Sequence, residues 1–448
     1  MVKWYHICFW YRDPRFESLW ASHNMINLIN KLFFPSSKSN YINSGFKKIM
    51  KETEIIKIFS AIETYSLNSE IRYVGGCVRK IINKEVVDDI DLAVNLKPGE
   101  ICDALKKNKI KFYESGISHG TITALINNDK FELTSLRKDV DTDGRHAKVE
   151  FSNDWKEDAS RRDFTINSIY ADKEGNLFDP FNGKKDLKNG DVNFIGDSEK
   201  RIKEDYLRIL RYIRFFLDYS HINHNPLVIK AIKKNLSGIS KISPDRLLDE
   251  FKKLVYSEGF LKLPKDKNCL EIINLIFPEM KNINIFEYLD NFVEDNIKNV
   301  DFIFLLSLMI IDNTDNLDYF IYRFNVSKKD QKRLLFLNSF YFAKKEKKSF
   351  STKNLNKILY FNGKDALMDI IHFKIFKSRK VDNKVIKIFK NFKNKDIPAM
   401  PLKANILITK YNIPEGKELG KKIKMIEELW VDNEFKISEK EIQKIVND

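Results

Sequence analysis

The chain lacks any apolar run approaching the ~20 residues of a membrane-crossing helix. Its most apolar stretch, Phe302 to Ile311, is too short for that and reads as a buried helix. Cysteine is scarce: Cys8, Cys77, Cys102 and Cys269 are scattered, with no CxxC pair. That argues against both a zinc site and a disulfide framework and suits a reducing cytosol, so a cytoplasmic location is expected. Histidine is equally thin. Only His372 follows His224, which excludes a multi-histidine metallophosphohydrolase centre from the C-terminal half. Residues 1–48 lack the apolar core of a secretion signal and, with Asp13 and Glu17, make a poor transit peptide. They read as an extension of unknown role, with PSSKSN at Pro35 to Asn40 as a linker and Met25 or Met50 as alternative starts. No repeat of fixed period is evident.

What is present is a soluble globular composition, long enough for two to four domains or subdomains. The net charge is +15, with lysines spread through the C-terminal half, which favours a polyanionic partner. Abundant Lys, Asn and Ile also follow from a biased genome, so charge alone decides little.

The most informative segment is YVGGCVRKIINKEVVDDIDLAV. Ile71 to Val74 reads as a strand, Gly75 and Gly76 as a turn, and the residues after Cys77 as a helix. Glycines there let backbone N–H groups approach a phosphate at the positive end of a helix, and Arg79 adds a cation. Asp89 and Asp91 are placed on a following strand, where residues i and i+2 share a face. Two carboxylates side by side suit Mg²⁺ ions that also bind substrate phosphates. Alone, a Gly-Gly pair is a turn and an Asp-x-Asp a solvated strand end; in this order they point to nucleotidyl transfer.

Further segments add candidates. A helix is predicted over Glu52 to Tyr65 with Ile55, Ile56, Phe59 and Ile62 on one side. Strands follow at Lys111 to Glu114, Thr121 to Ile126 and Lys130 to Leu136, the last two joined by the turn Asn127 to Asp129. On the last, Glu132 is a third carboxylate, for metal coordination or for deprotonating an attacking hydroxyl, or simply an exposed acid. RKDVDTDGRHAKVEF reads as a charged loop, either solvated or a lid. In EDASRRDFTINSIY, Arg161 and Arg162 can grip phosphate and Asp163 can accept from ribose hydroxyls, with a surface ion-pair network as the plain alternative. KRIKEDYLRILRYIRFFLDY reads as one amphipathic helix, with Ile202, Tyr206, Ile209, Leu210, Ile213 and Leu217 as its apolar stripe. Asp205 and Arg208 would form an i,i+3 pair able to read the amine-plus-acceptor edge shared by C and A.

Taken together, VGGCVR, DDIDLAV, ISHGTITALI, FELTSLR, DTDGRHAKVEF, RRDFTINSIY, FDPFNGKKDLKNG, RIKEDYLRILRYIRF and SPDRLLDEFKKLV resemble the class II CCA-adding tRNA nucleotidyltransferases. The resemblance implies that Asp89 and Asp91 bind Mg²⁺ and that Gly76 and Arg79 hold the triphosphate. It implies that Arg161, Arg162 and Asp163 contact the nucleotide, and that Glu204, Asp205 and Arg208 template the base, with Arg211 and Arg214 as further contacts. Asp143, Gly144 and Arg145 fall on the loop linked to switching from CTP to ATP, and Arg246 on the final neck motif. Lys80 departs from the family, which usually has aspartate there, and puts local packing of the turn in question.

The expected architecture is α+β: a head with a mixed sheet at 49–190, a helical neck at 191–256, and a helical body and tail at 257–448. The expected partners are tRNA, CTP and ATP, with no membrane. Rivals are a bacterial poly(A) polymerase, a partial enzyme adding only CC or only A, a catalytically dead RNA-binding protein, and a small-molecule nucleotidyltransferase.

Overall fold

A computed structural model describes residues 38–127, 129–143, 146–342 and 349–447. The chain divides into two compact units, Met1–Gly196 and Asp197–Asp448.

In the first unit, helices α1 (Lys38–Glu52), α2 (Ile56–Glu63), α3 (Gly76–Ile82), α4 (Pro98–Lys107), α5 (Trp155–Ser160) and α6 (Gly183–Asn189) surround a mixed sheet. Its strands are β1 (Ile71–Val74), β2 (Asp91–Val94), β3 (Lys111–Gly116), β4 (Thr121–Ile126), β5 (Asp129–Ser135), β8 (Tyr170–Ala171) and β9 (Leu177–Phe178). They lie in the order β3-β4-β5-β2-β1-β8-β9, and the β2–β5 pair is parallel among antiparallel neighbours. β6 (Arg137–Asp143) and β7 (His146–Phe151) form a separate two-stranded ribbon.

Alternation along the strands separates two faces. On β4 every second residue, Ile122, Ala124 and Ile126, is buried, and on β5 so are Phe131, Leu133 and Ser135. This face carries Tyr73, whose ring sits 4.8 Å from Phe46 of α1 and 5.0 Å from Phe59 of α2. Full burial of one such aromatic stabilises the head by about 1.5–3 kcal/mol. On the opposite face, Trp155 and Ala159 of α5 pack with Val74, Ala93, Leu136 and Tyr170. That plug covers one end of the face and leaves Asp91 and Glu132 exposed at the other.

The structure corrects several expectations. Helix α1 buries Ile42, Phe46 and Ile49, so residues from Lys38 belong to the head and not to an extension ending at 48. Gly45 allows this contact, because a Cβ there would lie 2.9 Å from Ile81 of α3. The helix predicted from Glu52 begins at Ile56 instead, and Ile58, not Ile56, turns inward. The charged segment after Leu136 is not a loop, because its backbone pairs as β6–β7; Gly144 and Arg145 lie outside the described residues, and Asp143 is described only in backbone pairing.

The second unit is helical. It begins with α7 (Ser198–Glu204), α8 (Arg208–Tyr219), α9 (Pro226–Asn235), α10 (Pro244–Val255) and α11 (Lys267–Ile276). The apolar segment forms the helix Phe302–Ile310, almost wholly buried, as its composition requires. A long helix, Thr352–Phe376, is kinked at Gly363, where φ is 85°. The C-terminal helices close around Leu407, Leu419, Ile426 and Ile442. No helix among the described residues is long and apolar enough to cross a membrane.

Candidate active site

β1 ends at Val74, and the chain turns at Gly75 with φ 71° and ψ −123°. That conformation is open to glycine and strained for any residue with a Cβ. A Cβ at Gly75 would lie 3.7 Å from Nη1 of Arg162, and one at Gly76 would lie 4.0 Å from Nη2 of Arg79. The two glycines therefore set backbone without side chains beside two guanidinium groups, Gly75 buried and Gly76 half-buried. Cys77, in the first turn of α3, donates from Sγ to the Val74 carbonyl at 3.3 Å and reaches the Asp91 carbonyl at 3.7 Å. Turn, helix and the start of β2 are thereby tied together.

Asp91 is the first residue of β2 and is exposed. Its register partner across the parallel pair is Glu132 of β5, also exposed. Partners in register project to one face, so the Glu132 and Asp91 carboxylates lie on the same side of the sheet. Asp89 is different. It is exposed but precedes the strand, because β1 has already turned away at Gly75. The expectation that Asp89 and Asp91 share a strand is corrected to one strand residue and one in the approach to it. That approach is tethered by Lys80, whose ammonium pairs with Asp88. An ion pair thus occupies the position where an aspartate had been expected.

The carboxylate oxygens of Asp89, Asp91 and Glu132 do not all lie within 4.8 Å of one another. They are hard, exposed oxygen donors at one sheet edge. This matches a cation such as Mg²⁺, which keeps several waters and takes one or two carboxylates plus substrate phosphates. The donor set fits.

Behind the glycine turn is a buried polar network. Asp158 of α5 is only 1% exposed. It accepts from Arg161 Nε at 2.8 Å, Arg162 Nη2 at 3.1 Å and the Tyr170 hydroxyl at 2.6 Å. Burial alone would raise its pKa, but the guanidinium groups of Arg162 and Arg161 hold the carboxyl at about 2. Tyr170 is pushed above its usual range, first by burial. Asp163 is also buried; its Oδ1 accepts from the Phe164 backbone and from Asn167 Nδ2, each at 2.9 Å. Asn167 in turn accepts from Arg79. Asp163 therefore works inward, through Asn167, on the orientation of Arg79. Sequence reading missed Asp158; its signal was an acid three and four residues before two arginines, the spacing that meets on a helix.

In the second unit, the predicted single helix is two. It breaks at Asp205, whose φ of −152° and ψ of 106° are extended. The cause is local: Oδ1 of Asp205 accepts from the Leu207 backbone at 3.1 Å, the turn that aspartate offers in place of a helix. The Asp205–Arg208 pair is not formed. Arg208 instead bonds Glu204 Oε2 at 2.6 Å and the Arg201 carbonyl at 2.8 Å, and Asp205 pairs with Arg246 at 2.9 Å. Of the apolar stripe, Ile202, Ile209, Leu210, Ile213 and Leu217 are buried and Tyr206 is half-buried. Arg214 is clamped by the buried Glu250 of α10 at 2.8 Å, and Arg211 stacks near Phe215.

Residues 71–193 match the family model described as the Poly A polymerase head domain. Human "CCA tRNA nucleotidyltransferase 1, mitochondrial" is 46% identical over 194 residues, 42% of this chain and 44% of that protein. A CCA-adding enzyme of Lactobacillus johnsonii is 34% identical over 220 residues, 48% of this chain and 54% of its own length. The chain thus spans about half the length of the curated relatives it matches. Among solved structures, the Bacillus stearothermophilus CCA-adding enzyme in complex with CTP superposes with TM-score 0.66 at 18% identity, covering 88% of this chain and 96% of that one. The Thermotoga maritima CCA-adding enzyme complexed with tRNA gives 0.60 at 19%, covering 90% and 98%. At these identities the likeness to the solved structures is one of fold.

Proposed function

We propose that this chain is a class II CCA-adding RNA nucleotidyltransferase, transferring C, C and then A from CTP and ATP to the 3′ end of tRNA and releasing pyrophosphate. The observation that carries the reading is the register pair Asp91–Glu132, set beside the glycine turn that Arg79 and Arg162 flank. The domain assignment that accompanies it is a catalytic head, a neck for the base, and a basic helical body and tail for RNA.

In this reading the bare backbone at Gly75 and Gly76 lets a triphosphate approach closely, and Arg79, Arg161 and Arg162 neutralise it. Asp158 and Asn167 hold those guanidinium groups in place. Asp89 and Asp91 would hold Mg²⁺. When bound, the ion supplies Lewis-acid polarisation and a lowered pKa for the attacking 3′-hydroxyl. Glu132 assists removal of that proton, and the hydroxyl oxygen attacks the α-phosphorus in line with the departing pyrophosphate. Choice of base falls to Asp205 and Arg208, with Arg211 and Arg214 as further contacts. The lysine-rich helical half holds RNA through its backbone and shape, so binding weakens steeply with salt. The three free cysteines among the described residues suit a reducing compartment such as the cytoplasm.

The rival favoured by a specific observation is a poly(A) polymerase, because the matching head family is named for that activity. One experiment separates the two. Purified protein given tRNA ending at the discriminator base, with CTP and ATP, is expected to add three nucleotides and stop. A homopolymeric A tail overturns the proposal in favour of the rival.

A further inference from the structure

Away from the carboxylates of the head, the second unit gathers three different donor groups. His224 lies in the connection before α9, Asp266 caps α11, and Cys269 sits in the first turn of that helix. Nε2 of His224 stands 3.0 and 3.1 Å from the two Asp266 oxygens and 3.7 Å from Cys269 Sγ. Among the described residues this is the one His/Cys/Asp/Glu group whose donor atoms all lie within 4.8 Å. We propose that His224, Asp266 and Cys269 bind a single transition-metal cation of the Zn²⁺ class.

The distances support it. With bonds of ~2.0–2.2 Å to N and O and ~2.3 Å to S, tetrahedral ligands stand ~3.3–3.6 Å apart. The separations from Nε2 need shifts of only a few tenths of an ångström, and the Asp266 oxygen and Cys269 Sγ lie within 4.8 Å of each other. The imidazole is already oriented as metal-binding histidines are. Phe216 stacks on its ring at 3.5 Å between centroids, and Nδ1 bonds the Tyr212 hydroxyl at 3.0 Å. A cation on Nε2 fixes the ring proton on Nδ1, where the Tyr212 oxygen accepts it.

Charge also balances. Binding replaces the S–H bond with an S–metal bond and releases one proton. A divalent ion with one thiolate, one carboxylate and a neutral imidazole leaves the site uncharged, which suits a site whose sulfur is buried. His224 also lines a cavity of about 580 Å³ with Lys230, Lys233 and Asn268, which gives a fourth ligand, water or a small anion, a place to sit. The scattered cysteines, with no CxxC pair, give no zinc signal in the sequence. A site with one cysteine, drawing its histidine from 45 residues away, carries no such signature.

The test uses full-length protein stripped by chelation and titrated with Co²⁺ as a spectroscopic probe. Wild type is expected to develop a thiolate-to-cobalt charge-transfer band that saturates at one equivalent. Cys269→Ser and His224→Gln are expected to lose it, while Cys77→Ser, Cys102→Ser and Cys8→Ser keep it. Zn²⁺ should raise the thermal midpoint of wild type but not of His224→Gln, which also reports whether that variant is folded. No charge-transfer band in wild type, or one that survives Cys269→Ser, overturns the proposal. Because the readout is independent of nucleotide addition, it stands or falls apart from the proposed activity.

Discussion

Asp91 and Glu132 are direct register partners across the parallel β2–β5 pair, both exposed at one end of a sheet face whose other end α5 has sealed. Two acids of unlike length are thereby held at one edge by backbone hydrogen bonds and not by loop geometry. A position fixed in this way tolerates conservative substitution without unfolding.

Asp91→Asn is therefore expected to keep the thermal midpoint of wild type and to lose nucleotide incorporation by about 10²–10³-fold or more, the scale of removing one group that stabilises transition-state charge. Glu132→Gln should cost about 10²-fold, as for a group assisting proton transfer. Single-turnover incorporation at saturating CTP measures both. Equal activity of Asp91→Asn and wild type would remove the carboxylate edge from the mechanism.

The glycine turn makes a second, internally controlled case. Gly75 sits at φ 71°, whereas Gly76 opens a helix and a Cβ there would meet only Nη2 of Arg79, at 4.0 Å. Gly75→Ala is expected to destabilise the head by about 1–3 kcal/mol through backbone strain. Gly76→Ala should leave stability near wild type and raise the KM for nucleotide by crowding the backbone. Urea unfolding together with KM for CTP distinguishes the two effects.

Asp158 predicts a pH dependence. Its folded pKa, about 2, lies below the ordinary carboxylate value of ~3.9, so the unfolded chain binds the proton more readily. The stabilisation is therefore complete above about pH 4 and is lost as pH falls toward 2. It amounts to about 2–3 kcal/mol at neutral pH. Asp158→Asn removes its share of this acid limb and takes the carboxylate from two half-buried guanidinium groups, at a cost of about 3–5 kcal/mol. Urea midpoints measured from about pH 5 down to about pH 2.5 should fall more steeply in wild type than in the variant.

How much of this was legible in the sequence depends on the range over which each feature is determined. Ile71–Val74 and Thr121–Ile126 were read to the residue because strand alternation and glycine punctuation are local. Glu132 was legible because its strand is. The break at Asp205 was not, since the apolar stripe of Ile202, Ile209 and Ile213 continues in phase across it. Only a side chain bonding its own backbone, with Arg246 of α10 drawing the same carboxylate away, reveals the interruption. Likewise, the partner of Arg208 followed from where the helix ends and not from spacing. The bond from Asn167 to Asp163, and the one from Arg79 to Asn167, were hidden for a similar reason: they follow from burial, a tertiary property.

That rearranged pairing yields the sharpest prediction on selectivity. Asp205 is held by Arg246 through Oδ2 and by its own turn through Oδ1, so its carboxylate direction is fixed from both oxygens. A carboxylate can accept from the amine of C or A but repels the carbonyl that U or G presents, a difference worth about 1–3 kcal/mol. Asp205→Ala should therefore relax discrimination against UTP and GTP by about 5–150-fold while RNA affinity changes little. Arg246→Ala leaves the carboxylate in place but free to turn, so it should lose part of that discrimination with smaller effect on the rate of C addition. Competitive incorporation of the four nucleotides onto one tRNA acceptor, alongside tRNA binding at fixed salt, measures both variants. Uniform loss of activity with the wild-type preference retained would show that Asp205 supports the fold of α7 and α8 and not the choice of base.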